Sequence, residues 1–350
     1  MPGEATLREI AEQFDLWKTL FEDLELLQKD VSINFAVREY DDVLFIGAGT
    51  SYHLAAAAAA AYRFVAGETA LAVPASEVVF FNRYNLIKER KYLAVLFSRS
   101  GRTKETLTAL EEMRKHNRIA AVAISCDPSS PLCAQCEVSF PVKNCFEESV
   151  IMTKSFTSML FVSHMVTMAL SERFANATYL EQLADEGKAA FEMQRRVIDG
   201  ITAETPLDRI TILGGGPMYG LAREAGLKLD EAAHLRTQVL NALELRHGPR
   251  SALTEKDLVI LFGSTSALDL EIDLLREVKS IGAKTLVFCE KKEREYDGIA
   301  DYIIPAGRGI PEVYRGMLYM PFIQYLAVRA ALQKGIDPDS PPNLTHVVTF

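Results

Sequence analysis

Residues 43–55 read "VLFIGAGTSYHLA", and residues 210–222 read "ITILGGGPMYGLA". Each is a short apolar run, then a glycine-bearing turn, then an aromatic and the start of a helical pattern. The same relation joins "LAVLFSRSGRTKETL" at 93–107 to "LVILFGSTSALDLEI" at 258–272. Two pairs of matching segments in the same order mark the chain as a duplication. Further apolar runs ("ALAVPA", "AAVAIS", "KTLVFCE", "DYIIPA") alternate with helical patterns. Such runs, without polar alternation, indicate parallel strands covered on both faces. The pattern predicts an α/β chain of two tandem doubly wound, flavodoxin-like domains with parallel sheets. An N-terminal helical segment is expected over 1–30, a first domain over 31–190, a second over 191–335 and a tail over 336–350.

Composition narrows the function classes. A chain of 350 residues, about half apolar and a quarter charged, has ample core for two domains and reads as soluble. Its net charge of −9 argues against a nucleic-acid surface, which would want a basic excess. The N-terminus has no apolar signal core. The longest apolar stretches, "LAAAAAAAYRFVAG" and "SMLFVSHMVTMAL", fall short of the roughly 20 residues that span a bilayer and read as buried helices. Five cysteines, an odd number, suit a reducing cytoplasm better than a disulfide scaffold. "CAQC" at 133–136 has no second pair to complete a metal site, so Cys133 and Cys136 read as free thiols. A cytoplasmic protein with no membrane and no nucleic-acid partner is the expectation.

In an open α/β sheet, ligands sit beyond the carboxyl ends of the strands, beside helix N-termini. "SRSGRTKET" places Ser98, Ser100 and Thr103 at such a point. Their hydroxyls, free backbone N–H groups and the helix dipole together suit a phosphate. A simple helix cap would account for one hydroxyl and not for the set. Gly101 allows the tight turn, and Arg99 or Arg102 adds charge. "GAGTSYHLA" has two glycines of a dinucleotide fingerprint but lacks the third and the acidic residue that would end a second strand.

"PMYGLAREAGLKLDEAAHL" reads as a helix with Pro217 in its first turn. Glu224, Lys228 and Glu231, spaced i, i+4, i+7, share one of its faces beside the apolar stripe of Leu221, Ala225, Leu229 and Ala232. Spacing alone favours a solvated ladder of charge pairs. "ELRHGPRSAL" follows with no counterpart in the first half, and Gly248-Pro249 hold His247 in a rigid turn.

"GAGTSY", "SRSGRTKET", "SVIMTKSFTSM", "ELRHGP" and the tail "DPDSPPNLTHVVTF" resemble, in order and spacing, the sugar isomerase (SIS) domain family. The resemblance covers nearly the whole chain. The motifs look like those of the isomerase half of glucosamine-6-phosphate synthase and of its stand-alone relatives, the amino-sugar-phosphate deaminases and ketose/aldose isomerases. No N-terminal cysteine stands where a glutaminase nucleophile would. The resemblance implies phosphate ligands at Thr50, Ser51, Ser98, Arg99, Ser100 and Thr103, and sugar contacts at Gly49 and Val150. Relatives often carry glutamine where Arg99 stands. It gives Glu231 the role of moving a proton between C1 and C2, with Glu224 and Lys228 as active-site neighbours. It makes His247 the ring-opening group, lent by the neighbouring subunit of a homodimer with shared active sites. It implies a tail that closes on the active site, with His346 standing where relatives carry lysine. No metal and no organic cofactor is implied.

The favoured activity is that of an amino-sugar-6-phosphate deaminase giving a ketose 6-phosphate and ammonia. A synthase-type or tagatose-6-phosphate-type ketose/aldose isomerase is the alternative. A non-catalytic sugar-phosphate sensor is a third, but residues 1–40 are too few and too acidic for the DNA-binding module such regulators carry.

Overall fold

The computed structural model describes residues 1–24, 27, 29, 40–116, 118–204, 207–290 and 296–345. Packing divides them into two compact units. One is built from Asp15–Glu147 and Lys154–Glu181, the other from Met1–Phe14, Glu148–Thr153 and Gln182–Leu344. Helix α1 (Glu4–Glu22) opens the chain.

In the first unit, β1 (Asp42–Gly47), α2 (Thr50–Ala66), β2 (Ala70–Pro74), β3 (Lys91–Phe97), α3 (Lys104–His116), β4 (Arg118–Ser125), β5 (Val138–Pro141) and α4 (Lys154–Ser171) follow one another. The strands lie in the order β2-β1-β3-β4-β5, each pair parallel. Leu93 through Phe97 are wholly buried, because a parallel sheet covered on both faces has no solvent side to tolerate polar residues. The alanine run of α2 favours a helix and leaves it slim, so it packs closely on α4. Every residue of α4 from Lys154 to Leu170 is buried, and the Trp17 indole N–H donates to Thr157 Oγ1 at 3.2 Å. The two apolar stretches are thus buried helices, and no helix among the described residues is long and apolar enough to cross a membrane.

The second unit repeats the plan. After α5 (Ala177–Glu204) come β6 (Arg209–Gly214), α6 (Met218–Ala233), β7 (Arg236–Leu240), β8 (Asp257–Phe262), α7 (Leu268–Ile281), β9 (Lys284–Cys289), β10 (Tyr302–Pro305) and α8 (Met320–Gln333). Its sheet runs β10-β9-β8-β6-β7, all parallel. Counted within each sheet, both have the flavodoxin-like order 2-1-3-4-5, with the switch point between first and third strands. Helix α6 packs on α8 and on β6 and β7. A Cβ on Gly226 would sit 2.6 Å from Val239 Cγ2, so that approach needs a glycine.

Two strands carry little sequence signal: β5 has four residues, and β7, "RTQVL", is half exposed at a sheet edge. The cysteines also depart from expectation. The parallel pairing of β4 with β5 brings Ser125 opposite Pro141, and Cys126 and Cys145, just beyond, form a disulfide with Cα atoms 5.9 Å apart. Cys133, Cys136 and Cys289 are free thiols; burial pushes Cys136 up to about 12.

Candidate active site

The first unit presents a hydroxyl-lined turn. β1 and β3 are neighbours, with Ile46 opposite Leu96, so the turns that follow them leave the same end of the sheet at its switch point. After β3, Ser98 Oγ lies 2.9 Å from Thr103 Oγ1 and accepts the Gly101 N–H at 3.0 Å. Ser100 Oγ accepts the Arg102 N–H at 3.2 Å. Gly101 has φ +60°, and a Cβ there would stand 2.1 Å from Ser130 Oγ, so conformation and space both demand glycine. The Arg99 carbonyl accepts the N–H of Cys126 at 3.1 Å, which fixes the turn to the end of β4.

After β1, a Cβ on Gly47 would lie 2.3 Å from the Ser51 carbonyl oxygen, so only glycine lets the strand run straight into α2. Gly49 takes φ +55° at the N-cap of α2, and a Cβ there would meet nothing within 4 Å. Thr50 and Ser51 are buried in the helix's first turn. The two predicted phosphate segments therefore lie at the ends of adjacent strands.

Arg99 is committed to the protein interior. Its Nη1 lies 3.0 Å from Glu147 Oε2, and Glu147 also accepts the Ser155 N–H at 2.9 Å and hydroxyl at 2.6 Å. Arg102 reaches Asp127 at 2.9 Å on the surface. Hydrogen bonds from the Ser129 hydroxyl and N–H, with Arg102 helping, hold the Asp127 carboxyl below its ordinary range.

The second unit presents a charged cluster on α6. Glu224, Lys228 and Glu231 share one face, as their spacing predicts. The solvated ladder that spacing favours is not what forms: Glu224 and Lys228 are fully buried, and only Glu231 keeps an exposed edge, its side chain 18% accessible. Lys228 Nζ lies 3.4 Å from Glu224 Oε1 and hydrogen-bonds Glu231 Oε2. Charges taken out of water need close partners, and here one ammonium serves two carboxylates. Such a group is suited to proton transfer, because the outer carboxylate is reachable while the inner one anchors the lysine.

His247 ends a short 3₁₀ helix, Ala242–His247, and is exposed. Ala242 and Leu245 anchor that turn in the core, and Arg246 and Arg250 both pair with Glu277 of α7. Gly248, at φ +127°, makes the sharp exit. Val150 is half-buried, and its N–H donates to the Asp339 carbonyl at 3.0 Å. The segment before it rests on Glu9, a buried carboxylate that accepts the Glu148 N–H at 2.6 Å and bonds the Ser149 hydroxyl. Asp339 in turn accepts the Thr6 N–H at 2.8 Å and hydroxyl at 2.6 Å. His346 lies outside the described residues. Glu147, Glu9 and Asp339 support predicted site residues without a local signal, since each acts through a partner distant in sequence.

Similarity to known proteins accords with this architecture. A model of the SIS domain matches residues 37–169 and again 206–332. The glutamine–fructose-6-phosphate aminotransferase (isomerizing) of Thermococcus kodakarensis is 27% identical over 328 residues, covering 91% of this chain and 54% of that protein. The Francisella tularensis protein of the same name is 29% identical over 280 residues, covering 73% and 44%. The chain thus spans about half the length of the curated relatives it matches. Among solved structures, a glucosamine-6-phosphate deaminase from Thermotoga maritima superposes with a TM-score of 0.80 at 28% identity, over 99% of this chain and 100% of that one. A tagatose-6-phosphate ketose/aldose isomerase from Escherichia coli, 22% identical, shares the fold over both full lengths with a TM-score of 0.87.

Proposed function

The chain belongs to the SIS domain family, and from that premise we propose that it is a phosphosugar aldose/ketose isomerase acting as an amino-sugar-6-phosphate deaminase. The observation that carries the reading is the buried Lys228 held by Glu224 and Glu231 on the helix after β6. A sensor that only binds a sugar phosphate has no need of a buried ammonium beside a reachable carboxylate. The end-to-end match to the Thermotoga deaminase supports deamination as the direction.

In this proposal the hydroxyls of Ser51, Ser98, Ser100 and Thr103, with Thr50, bind the phosphate, and Arg99 braces their turn through Glu147. Gly49 and Val150 face the sugar. His247, contributed by the neighbouring subunit of a homodimer, protonates the ring oxygen as the ring opens. Glu231 then takes the C2 proton of the open-chain 2-amino aldose and returns it to C1. The carbon–nitrogen unit becomes an imine at C2, water adds to it, and ammonia leaves to give the ketose 6-phosphate. Lys228 orients the Glu231 carboxylate through their hydrogen bond, and Glu224 keeps Lys228 in place.

Incubation with glucosamine 6-phosphate and galactosamine 6-phosphate tests the reading, with ammonia and ketose 6-phosphate both measured. Equal amounts of the two products are expected from one epimer. Aldose/ketose interconversion without ammonia would make it a tagatose-type isomerase, and no turnover of any sugar phosphate would leave a sensor.

A further inference from the structure

The duplication raises the question of what became of the second copy of the hydroxyl turn. In the paired segments, Ser98-Arg99-Ser100-Gly101 corresponds to Gly263-Ser264-Thr265-Ser266. Each follows the third strand of its sheet and precedes a long helix, α3 or α7. A turn with free N–H groups and hydroxyls at this place is an anion seat by construction. The second copy is already occupied. Glu312 Oε1 accepts the Thr265 N–H and, at 3.1 Å, the Ser266 N–H. The Ser264 hydroxyl lies 3.2 Å from the same oxygen and 3.3 Å from Oε2. Arg315, almost wholly buried, places Nη2 3.2 Å from Thr265 Oγ1 and 4.0 Å from the Glu312 carboxylate.

We propose that the Ser264–Ser266 turn is a second oxyanion-binding site, for a phosphate or phosphate ester, which the Glu312 carboxylate holds shut as a built-in anion. The carboxylate meets the donors that a phosphate oxygen would meet, two successive N–H groups and a hydroxyl, with a guanidinium alongside. A second carboxylate, Glu271, takes the Ser264 N–H at 2.8 Å, and Glu290 balances Arg315 at 3.2 Å. Among the described residues, the three successive N–H groups of Ser264, Thr265 and Ser266 are thus all taken by carboxylates while Glu312 is in place. The first turn differs in the feature that matters: the bonds recorded at Ser98, Ser100, Gly101 and Thr103 are among the turn's own groups and with neighbouring backbone. The other half of the cradle has also diverged. The counterparts of Thr50 and Ser51 are Pro217 and Met218, which have no hydroxyl. One phosphate per chain, at the first turn, is the consequence. That count rests on the proposed function; the closed second seat does not.

The test is the stoichiometry of inorganic phosphate binding by calorimetry, on the wild type, Glu312→Ala and Glu312→Gln. Glu312→Ala opens the seat and is expected to bind one equivalent more than the wild type. Glu312→Gln keeps an oxygen in the turn and is expected to match the wild type. If Glu312→Ala does not fold in plain buffer, millimolar phosphate is expected to restore its cooperative melting; failure to do so overturns the proposal. A folded Glu312→Ala that binds no additional phosphate also overturns it. If the wild type binds none and Glu312→Ala binds one, the first-turn assignment fails while the closed seat stands.

Discussion

Lys228 carries its charge into a site where its side chain is 1% exposed, and two carboxylates depend on it. Lys228→Met would leave Glu224 buried without that cation, a change that costs about 3–5 kcal/mol. The double variant Glu224→Gln/Lys228→Met, which removes both charges, should recover much of that loss in chemical denaturation. A loss as large in the double variant as in the single one would mean that Lys228 acts through packing. In the proposed mechanism Glu231 is the chemical member of the cluster. Glu231→Gln should lower turnover by roughly 10²–10⁴-fold with little change in binding, and exchange of the C2 or C1 proton with solvent deuterium should fall in step. Exchange at the wild-type rate would assign the base to another group. Glu271 offers a readout in pH. Burial, aided by the nearby Glu312 charge, raises it from 4.5 to about 7. The folded chain thus keeps a proton that the unfolded chain releases, so stability falls as pH rises from about 4.5 through 7. Glu271→Gln still accepts the Ser264 N–H and should stabilise the protein at about pH 8, by at most about 3 kcal/mol. It should have no such effect at about pH 4; equal effects at both would place the cause in packing.

At the scale of elements, the turn after β3 is the part most sensitive to a single added carbon. Gly101→Ala must both hold φ +60° and displace Ser130, whose Oγ would be 2.1 Å from the new methyl. The left-handed conformation alone costs about 1–2 kcal/mol, and the turn's hydroxyls must shift with the clash. A drop in sugar-phosphate affinity larger than the drop in melting temperature would show that the turn binds the phosphate; an unchanged affinity would separate the two. This turn was legible because its chemistry is local: an apolar strand, clustered hydroxyls and a glycine sit within a dozen residues. The buried strands were legible for the same reason, since Leu93–Phe97 carry their environment in their composition. β5 and β7 were not, because short edge strands are set by the neighbour they pair with. The charge triad shows the limit most clearly. Spacing put Glu224, Lys228 and Glu231 on one face, but whether that face met water or protein depended on α8 and the sheet. Likewise nothing near Glu147 or Glu148 distinguishes the buried carboxylate that holds Arg99 from its exposed neighbour.

At the scale of the whole molecule, the proposed homodimer predicts a shared catalytic site. Glu231 and His247 come from the same unit of the chain, yet His247 stands on an exposed turn with no counterpart in the first half. If the partner's histidine completes each site, mixing inactive Glu231→Gln with inactive His247→Ala restores activity. Random pairing makes about half the dimers mixed, each with one intact site, so recovery should approach about a quarter of wild-type activity. Co-expression ensures the mixing, and no recovery in verified mixed dimers would place both residues in one chain's site. The stitch between α1 and the tail bears on a different process, the making of the chain. Gly3, Ala5 and Thr6 donate their N–H groups to Asp337 and Asp339, while one unit is drawn chiefly from Asp15–Glu147 and Lys154–Glu181. As the polypeptide leaves the ribosome, every strand of that unit's sheet is made by residue 141, whereas residues 3–6 wait for partners more than three hundred positions later. Synthesis therefore completes one sheet early and leaves the N-terminal stitch unmade until Asp337 and Asp339 emerge, so a stall between residues 141 and 337 would release a chain with one finished sheet and that stitch open.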